Sequence, residues 1–286
     1  MKYIYIFLIF IAMQNFATAQ DKPKSYTQNL GQMKVIQFSE NQGMADTKIL
    51  IGATTEILDN SVPDRKIPNA VNAFLIQTAG KNILVDAGFG SKLFDNLKQQ
   101  GIEPAQIDIV LLTHMHGDHI GGMLKDGEKA FPNAKVYVAE KEAAYWKSDK
   151  ANNQLALDVL SAYANQLVLF NPETLNKPEK ELLPNIKAIE AYGHTPGHTM
   201  FLLDLDNQQL LIWGDLTHAL AVQIRYPEVA VTYDVDPDQA VKSRIETLKY
   251  ISDKNIKVAG MHIPFSGMGN VTINEAGGYT FTCLTN

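Results

Sequence analysis

The sequence predicts an α+β fold in which two β-sheets pack together with helices on their outer faces. Short apolar runs rich in β-branched residues, such as "KILIG" and "NILVD", are separated by Gly, Asn, Pro and Asp and therefore indicate strands. A second strand-rich half follows, with "MFLLDLD" and "QLLIWGD", and helical segments accompany both halves. Since the sequence shows no internal repeat and no linker, we expect one domain over residues 20–286.

Local signals predict individual elements. Ser91 is the expected N-cap of a helix that ends at Gly101. The nearly continuous apolar run "IDIVLLT" indicates a strand buried on both faces, and "HMHGDH" follows it directly. Asp236 and Pro237 begin a helix that we expect to run to about Ser252. Residues 20–32 are polar, and residues 41–70 hold too much turn chemistry for regular structure, so we expect both stretches to be irregular.

The N-terminal residues predict an export signal. "MKYIYIFLIFIAMQNFATAQ" combines Lys2, an apolar run and the small-x-small cleavage motif "ATA". This pattern predicts a signal peptide over residues 1–19 and a mature protein that is periplasmic or secreted. The apolar run is shorter than the ~20 residues that a bilayer span needs, so we expect no stable membrane anchor. Cys283 is the only cysteine, which excludes an intrachain disulfide.

The charge of the chain restricts its partners. The formal net charge is −6, and no basic run interrupts the sequence, so nucleic acid is not an expected partner. We expect a small-molecule substrate. The sequence leaves a homodimer open.

The histidines are distributed in a way that indicates a metal site. Three of the seven histidines, together with Asp118, fall within "HMHGDH". If the preceding strand continues, His114 and His116 share one face of it. Further candidates lie near predicted strand ends: His194, His198, Asp215 and His262. Imidazole and carboxylate are common metal ligands, and this many of them suit two adjacent ions better than one.

Taken together, these motifs resemble those of the metallo-β-lactamase superfamily. The resemblance covers roughly residues 72–262 and includes, in the family order, "NILVDAGFG", "LLTHMHGDHIGG", "GHTPGHT" and "WGD". It implies an αββα sandwich, with two mixed sheets, helices on the outer faces and a dinuclear site at one edge. Two divalent metal ions are therefore expected as cofactors, with zinc as the expected metal.

The resemblance also implies a role for individual residues. The ligands implied for the first ion are His114, His116 and His194, those for the second are Asp118, His119 and His262, and the bridging ligand is Asp215. Asp86, which follows "NILV", would accept a hydrogen bond from the remote N–H of a histidine ligand. Asp118 is in addition the expected catalytic residue, because it could accept a proton and pass it to the leaving group.

Some residues keep two interpretations at this point. Asp215 could instead be a turn residue, and His262 could be a core histidine with a satisfied hydrogen bond. His198 is expected to support a ligand or to be an ordinary buried histidine, and His218 belongs either to the substrate pocket or to packing. Four further residues could line a pocket or belong to the core: Tyr226, Tyr233, Phe265 and Met268.

Two ions in one site can activate a shared water, so the expected chemistry is hydrolysis. The stretches "GDLTHALAVQIRYPEVAVTYDVDP" and "HIPFSGMGNV" resemble the branch that holds N-acyl homoserine lactonases and methyl parathion hydrolase. We therefore expect opening of a lactone or ester, with an N-acyl homoserine lactone as the leading substrate and phosphotriester hydrolysis as the alternative. The expected bridging Asp215 counts against a β-lactamase.

Two hypotheses from other classes stay open. The superfamily contains iron oxidoreductases, but the full set of ligands argues against a mononuclear iron dioxygenase, and the missing flavin domain argues against a diiron flavoprotein. A metal-binding protein without catalytic activity is the last alternative.

Overall fold

The computed structural model describes residues 24–275 and 277–285. The predicted signal peptide, residues 1–19, lies outside these residues. Along the described chain the strands are β1 (Lys24–Leu30), β2 (Met33–Asp46), β3 (Leu50–Ile51), β4 (Lys66–Thr78), β5 (Lys81–Val85), β6 (Ile109–Leu111), β7 (Leu124–Lys125), β8 (Glu128–Lys129), β9 (Lys135–Ala139), β10 (Leu167–Phe170), β11 (Ile186–Glu190), β12 (Thr199–Leu205), β13 (Gln208–Ile212), β14 (Ala230–Val231), β15 (Lys257–Ala259), β16 (Met268–Ile273) and β17 (Tyr279–Cys283). The α-helices are α1 (Thr55–Ser61), α2 (Leu93–Gln99), α3 (Gly117–Ile120), α4 (Glu140–Trp146), α5 (Gln154–Ala162), α6 (Leu220–Gln223) and α7 (Pro237–Lys254).

Most strands belong to two mixed sheets. Within the described residues, the first sheet has the order β1-β2-β4-β5-β6-β9-β10 and the second has the order β11-β12-β13-β15-β16-β17. The first sheet contains three parallel pairs, β5–β6, β6–β9 and β9–β10. Its other three pairs, β1–β2, β2–β4 and β4–β5, are antiparallel. In the second sheet only the β13–β15 pair is parallel among the strands described.

Three hydrophobic clusters show how the layers pack. One cluster joins the facing sides of the two sheets and includes Phe74 and Leu111 from the first and Phe201 from the second. A second cluster packs α2, α4 and α5 against the outer face of the first sheet. A third packs α7, through Leu248 and Ile251, against the outer face of the second sheet. The layers are therefore helix, sheet, sheet and helix, which confirms the predicted αββα sandwich.

Two stretches that were expected to be irregular are ordered, so those predictions are wrong. Residues 24–30 form β1, which pairs with β2 along its whole length and buries Tyr26 and Leu30. In residues 41–70, β2 pairs with β4. The pairing extends from Asp46, which is opposite Lys66, to a β-bulge near Ser39, and α1 lies between the two strands in the sequence. The cause is pairing between distant segments, which local turn composition does not reveal.

Helix starts were predicted with mixed success. Asp236 caps α7 by accepting a hydrogen bond from the backbone N–H of Gln239 at 3.0 Å, and Pro237 is the first helical residue, as predicted. Ser91 does not cap α2, since the N-cap position is Lys92. No helix among the described residues is both long enough and apolar enough to cross a bilayer.

The sheet topology brings the loops that follow β5, β6, β13 and β15 to one edge of the sandwich. The carboxyl ends of β5, β6 and β9 lie side by side because these strands are parallel, and the same holds for β13 and β15 in the second sheet. Asp86 follows β5, and the "HMHGDH" loop follows β6. Asp215 follows β13, and His262 follows β15. The chain thus delivers distant polar residues to one place.

Candidate metal centre

His114, His116 and His194, here called the three-histidine group, point nitrogen atoms at a common centre. His114 Nε2 lies 2.9 Å from His116 Nδ1, His116 Nδ1 lies 2.9 Å from His194 Nε2, and His194 Nε2 lies 3.1 Å from His114 Nε2. The expectation that His114 and His116 share a strand face is wrong, because β6 ends at Leu111 and His116 is the N-cap of α3. They meet because the loop turns.

These contacts fit metal ligands better than a hydrogen-bonded cluster. Each imidazole nitrogen is either a donor or an acceptor, so at least two of three mutually touching nitrogens have the same role and repel each other. The remote nitrogens of two of these rings have their own partners: His114 Nδ1 lies 3.1 Å from Thr113 Oγ1, and His194 Nδ1 lies 3.0 Å from Asp234 Oδ1. A cation between the three nitrogens would remove the repulsion. The donor set therefore fits a divalent ion such as zinc.

Asp118, His119 and His262, here called the mixed group, lie beside the first group. His262 Nε2 is 3.5 Å from Asp118 Oδ2, and His119 Nε2 is 3.8 Å from the same oxygen. His262 Nδ1 donates to the carbonyl oxygen of Ala70 at 2.8 Å, which leaves its Nε2 as the free electron-pair donor. Two imidazoles and a carboxylate form a second set of ligands that a divalent ion could use.

Asp215 lies between the two groups. Its Oδ2 is 3.0 Å from His262 Nε2 and 3.3 Å from His194 Nε2. Its Oδ1 is 3.1 Å from His119 Nε2, yet both atoms are buried and neither makes a hydrogen bond with the described residues. Burial would raise the pKa of Asp215, but the charges of His119 and His262 outweigh it and hold the pKa well below its ordinary value. An ionised carboxylate that faces both groups is suited to bridge two ions.

The pKa directions in the three-histidine group are mixed. Burial lowers the pKa of His114 well below its ordinary value and lowers the pKa of His116 to about 3. For His194, burial is outweighed by hydrogen bonds with Asp215 and Asp234, which raise the pKa to about 9. His114 and His116 are therefore neutral at neutral pH, which is the form of imidazole that binds a metal.

In the mixed group the carboxylates decide the pKa values. Burial would lower the pKa of His119 and of His262, but the charges of Asp215 and Asp118 outweigh it and raise both values. Burial would raise the pKa of Asp118, but the charges of His119 and His262 lower it. The two carboxylates and the two imidazoles of this region therefore stabilise each other's charged forms.

Asp86 lies where the resemblance implied a supporting residue. Its Oδ2 is 2.6 Å from His119 Nδ1 and accepts a hydrogen bond from Thr113 Oγ1 at 2.7 Å. Its Oδ1 accepts from the backbone N–H of Thr113 at 2.8 Å. The backbone of Asp86 has φ +55°, a left-handed conformation that Asp and Asn tolerate better than most residues. Asp86 thus orients His119 directly and His114 through Thr113.

The structure separates the roles of His198 and His218. His198 Nδ1 donates to the carbonyl oxygen of Ala191 at 2.9 Å, and its Nε2 accepts from the backbone N–H of Asp215 at 2.9 Å. His198 is therefore a buried support for Asp215. His218 instead faces the centre, with Nε2 at 2.8 Å from Asp215 Oδ2 and its ring stacked on that of His262.

Two supporting carboxylates were not predicted. Asp234 orients His194 and also accepts from the backbone N–H of Val231 at 3.0 Å. Glu142, in α4, is buried and accepts from donors in both halves of the site. No local sequence signal marks either residue, because an acidic side chain in a helix or a turn is ordinary in a sequence. Their contacts with the histidine loops come from segments that are distant in the sequence.

A cavity of about 500 Å³ opens over the centre. Five residues of the centre line its floor: His116, Asp118, Asp215, His218 and His262. Asn41, Asn69, Val71, Phe89 and Tyr233 line its walls. Phe89 and Tyr233 are each 52% exposed, which leaves part of each ring available to a bound molecule.

Three of the candidate pocket residues lie elsewhere, which corrects the pocket expectation for them. Met268 is fully buried in the cluster between the sheets. Tyr226 packs against a small cluster that includes Val222 and Val229. Phe265 is partly exposed but does not line this cavity, and its backbone N–H donates to Gln42 Oε1 at 3.0 Å. Tyr233 is the one of these four candidates that lines the cavity.

The comparison with protein families agrees with this geometry. A family model described as the metallo-beta-lactamase superfamily matches residues 67–262. The chain belongs to this superfamily. The matched range contains Asp86, both ligand groups and Asp215. Members of the superfamily share this fold, and the mixed sheets and outer helices of the structure are consistent with it.

Similar proteins have varied names. The chain is 28% identical over 178 residues to the Drosophila melanogaster "Beta-lactamase-like protein 2 homolog", which covers 58% of this chain and 55% of that protein. It is 24% identical over 159 residues to an N-acyl homoserine lactonase of Bacillus cereus, covering 54% of this chain and 56% of the relative. The chain thus spans about half the length of these curated relatives.

Solved structures match over more of the chain. The hydrolase AbOPH is similar with a TM-score of 0.81 and 26% identity, covering 92% of this chain and 98% of that one. The dizinc quorum-quenching lactonase AidC, in complex with a product, gives a TM-score of 0.83 at 24% identity and covers 93% of this chain and 99% of that one. At that identity, the likeness to AidC concerns the fold alone.

Proposed function

We propose that this chain is a dinuclear metallo-hydrolase that opens a lactone or an ester, and that its substrate is an N-acyl homoserine lactone. The observation that carries the proposal is the placement of Asp215 between two ligand groups on the floor of a cavity of about 500 Å³. Cavities of this size accommodate small molecules. The walls of the cavity combine apolar side chains with two amides, and its floor carries the charged residues of the centre.

The metal ions are proposed to be two zinc ions. The three-histidine group would hold one, the mixed group would hold the other, and Asp215 would contact both. When bound, two such ions lower the pKa of a shared water and polarise the carbonyl or phosphoryl oxygen of a substrate. AidC, a relative in fold, is described as a dizinc lactonase, which supports zinc here.

Asp118 is the proposed catalytic carboxylate. Its side chain is 23% exposed and lines the cavity, whereas Asp215 is 2% exposed and Asp86 is fully buried. A carboxylate at the floor can accept the proton that the attacking water loses and then deliver it to the leaving oxygen of the opened ring. Asp86 cannot take this role, because Thr113 and His119 already occupy its oxygens.

The walls of the cavity are proposed to bind an acyl chain. Phe89, Tyr233 and Val71 present apolar surface above the centre. Burying an aliphatic chain against them contributes about 25 cal/mol per Å² of apolar surface removed from water. Asn41 and Asn69 lie on the same walls. Asn69 Nδ2 already donates to the carbonyl oxygen of His218 at 3.0 Å, so the Asn41 amide and the Asn69 oxygen are the groups proposed to bind the polar headgroup of the substrate.

A phosphotriester with an aromatic leaving group is the second candidate substrate. Phe89 and Tyr233 favour it, since two exposed rings beside the centre can stack on an aryl group. The same proposed site would hydrolyse this substrate, because the two proposed ions would polarise a phosphoryl oxygen as well as a carbonyl oxygen. We also propose that the protein is exported, on the basis of residues 1–19.

Metal analysis and a substrate panel would test the proposed function. The mature protein, loaded with Zn²⁺, is assayed on a long-chain N-acyl homoserine lactone, an aryl ester, methyl paraoxon and a β-lactam, with Asp215→Ala as the inactive control. We expect about two zinc ions per chain and the highest kcat/KM on the lactone. Preference for methyl paraoxon would replace the lactone with the second candidate. Absence of turnover on the whole panel would overturn the hydrolase proposal.

Phe89→Ala would test the acyl-chain site. We expect kcat/KM for a long-chain lactone to fall by about 10-fold or more, because a buried aromatic side chain is worth about 1.5–3 kcal/mol. The short-chain N-acetyl lactone serves as the matched control, and its kcat/KM should not change. An equal loss on both substrates would show that Phe89 does not bind the chain.

A further inference from the structure

Glu142 is a buried carboxylate that makes four hydrogen bonds. Its Oε1 accepts from the backbone N–H of Met115 at 2.9 Å and from Trp146 Nε1. Its Oε2 accepts from Thr195 Oγ1 at 2.6 Å and from the backbone N–H of Gly197 at 3.0 Å. The side chain is 1% exposed. Such a carboxylate has no room to touch a substrate, so its role must act through the groups that it binds.

Three of these four partners adjoin or contact a histidine of the three-histidine group. Met115 lies between His114 and His116, and Thr195 directly follows His194. The rings of Trp146 and His116 pack with their planes nearly perpendicular and their centroids 5.3 Å apart. The Glu142 carboxylate therefore holds the chain next to all three imidazoles, and through Trp146 it also holds the packing of the His116 ring.

The close approach of Gly197 is an independent sign that this arrangement is built in. A Cβ atom at Gly197 would lie 2.2 Å from the backbone nitrogen of Glu142. Any larger residue would push the loop that carries His194 away from α4. The loop is thus shaped to bring its N–H within reach of Glu142.

We infer that Glu142 is a positioning residue for the ion held by His114, His116 and His194. It joins the loop that follows β6 in the first sheet to the loop that precedes β12 in the second. This inference rests on the proposed two-ion site. Residues that support metal ligands change metal affinity by about 10–100-fold when they are replaced.

The test compares Glu142→Gln with wild type. Glutamine keeps the shape of the side chain but turns an NH₂ group toward N–H and O–H donors, so at least one hydrogen bond is lost. Zn²⁺ affinity is measured for each of the two ions by competition with a chelator. His116→Ala and His262→Ala identify which ion is which, because each removes a ligand of one group only. Co²⁺ absorption spectra report the ligand geometry of each site.

We expect Glu142→Gln to lower the affinity for one of the two Zn²⁺ ions by about 10–100-fold and to change the Co²⁺ spectrum of the same site. The weakened ion should be the one that His116→Ala loses, and the affinity for the other ion should stay unchanged. Glu140→Gln is the matched control, since Glu140 lies in the same helix turn but is exposed. It should behave like wild type.

A purely structural role would give a different result. In that case Glu142→Gln would lower the melting temperature of the metal-free protein while both Zn²⁺ affinities and the Co²⁺ spectra stayed the same, and the inference would be wrong. If Glu142→Gln does not fold, Thr195→Val removes a single donor and should give a smaller loss of the same ion. Failure of the wild type to bind two ions would instead overturn the proposed function itself.

Discussion

The three-histidine group and the mixed group differ in how the fold holds them. The loops of the first group meet at Glu142, which binds donors on both. The mixed group has separate supports, since His119 contacts Asp86 and His262 contacts the carbonyl oxygen of Ala70. A shared support gives fixed geometry to the first group. In the mixed group each imidazole is held by its own partner, and the third member, Asp118, faces the cavity.

The two groups also differ in charge. Burial keeps His114 and His116 neutral, whereas His119 and His262 have raised pKa values because Asp118 and Asp215 adjoin them. The mixed group also contains a carboxylate, Asp118, that lines the cavity and is suited to handle the protons of the reaction. The three-histidine group has no carboxylate of its own. This difference predicts separate roles for the two groups, which mutagenesis can test.

The largest effect is expected from removal of the group that the two sets share. Asp215→Ala should lower hydrolysis by about 1000-fold or more and reduce the content of both ions, because no other carboxylate contacts His194 and His119 together among the described residues. Metal analysis and kcat/KM on the best substrate check this. Retention of both ions would show that the two groups are independent.

A smaller but more selective effect is expected for Asp118→Asn. Asparagine keeps an oxygen that can bind a metal but cannot accept a proton, so kcat should fall by about 10²–10⁴-fold. The ion of the three-histidine group should remain bound. The check is a measurement of kcat together with metal content. A kcat close to that of wild type would contradict the catalytic role and remove this contrast between the groups.

Asp86→Asn should lower the affinity of the mixed group for its ion by about 10–100-fold, since Asp86 orients His119 directly. The other ion should be affected less, because His114 is reached only through Thr113. Asparagine tolerates the φ of +55°, so the backbone need not change. Chelator competition on both ions checks the order of the two effects, and a reversed order would be evidence against these supports.

The smallest effect is expected for a substitution outside the site, which serves as a reference for the other substitutions. Asp108 accepts hydrogen bonds from Lys81 Nζ at 2.7 Å and from the backbone N–H of Asn82 at 2.9 Å. Slight burial would raise the pKa of Asp108, but these hydrogen bonds outweigh it and lower the pKa below 3.8. Asp108→Asn should cost about 0.5–1 kcal/mol of stability at pH 7, because the pair is partly exposed.

The pH dependence of this effect has a definite sign. A lowered carboxyl pKa stabilises the folded state above the unfolded value, here 3.8, and that stability is lost as pH falls through the folded value. The difference in free energy of unfolding between wild type and Asp108→Asn should therefore shrink below about pH 4. Urea unfolding at pH 7 and pH 3 checks this, with metal content held equal. A constant difference would mean that the carboxyl charge does not contribute.

The sequence by itself determined the layers of the fold and the residue types of the site. Apolar runs bounded by Gly, Asn and Pro predicted strands, because backbone and side-chain preferences are local. "HMHGDH", "GHTPGHT" and "WGD" indicated a metal site, because such a site needs a dense set of donor residues and that density is visible in a linear sequence. The expected role of each ligand came from the resemblance to the superfamily.

Only the tertiary structure decided which residues support the ligands and which line the cavity. Glu142 and Asp234 have meaning only through contacts with distant segments. The pairing of β1 with β2, the core position of Met268 and the exposure of Tyr233 likewise depend on where other segments pack. Burial and hydrogen-bond partners are properties of the folded arrangement, so no local pattern in the chain encodes them directly.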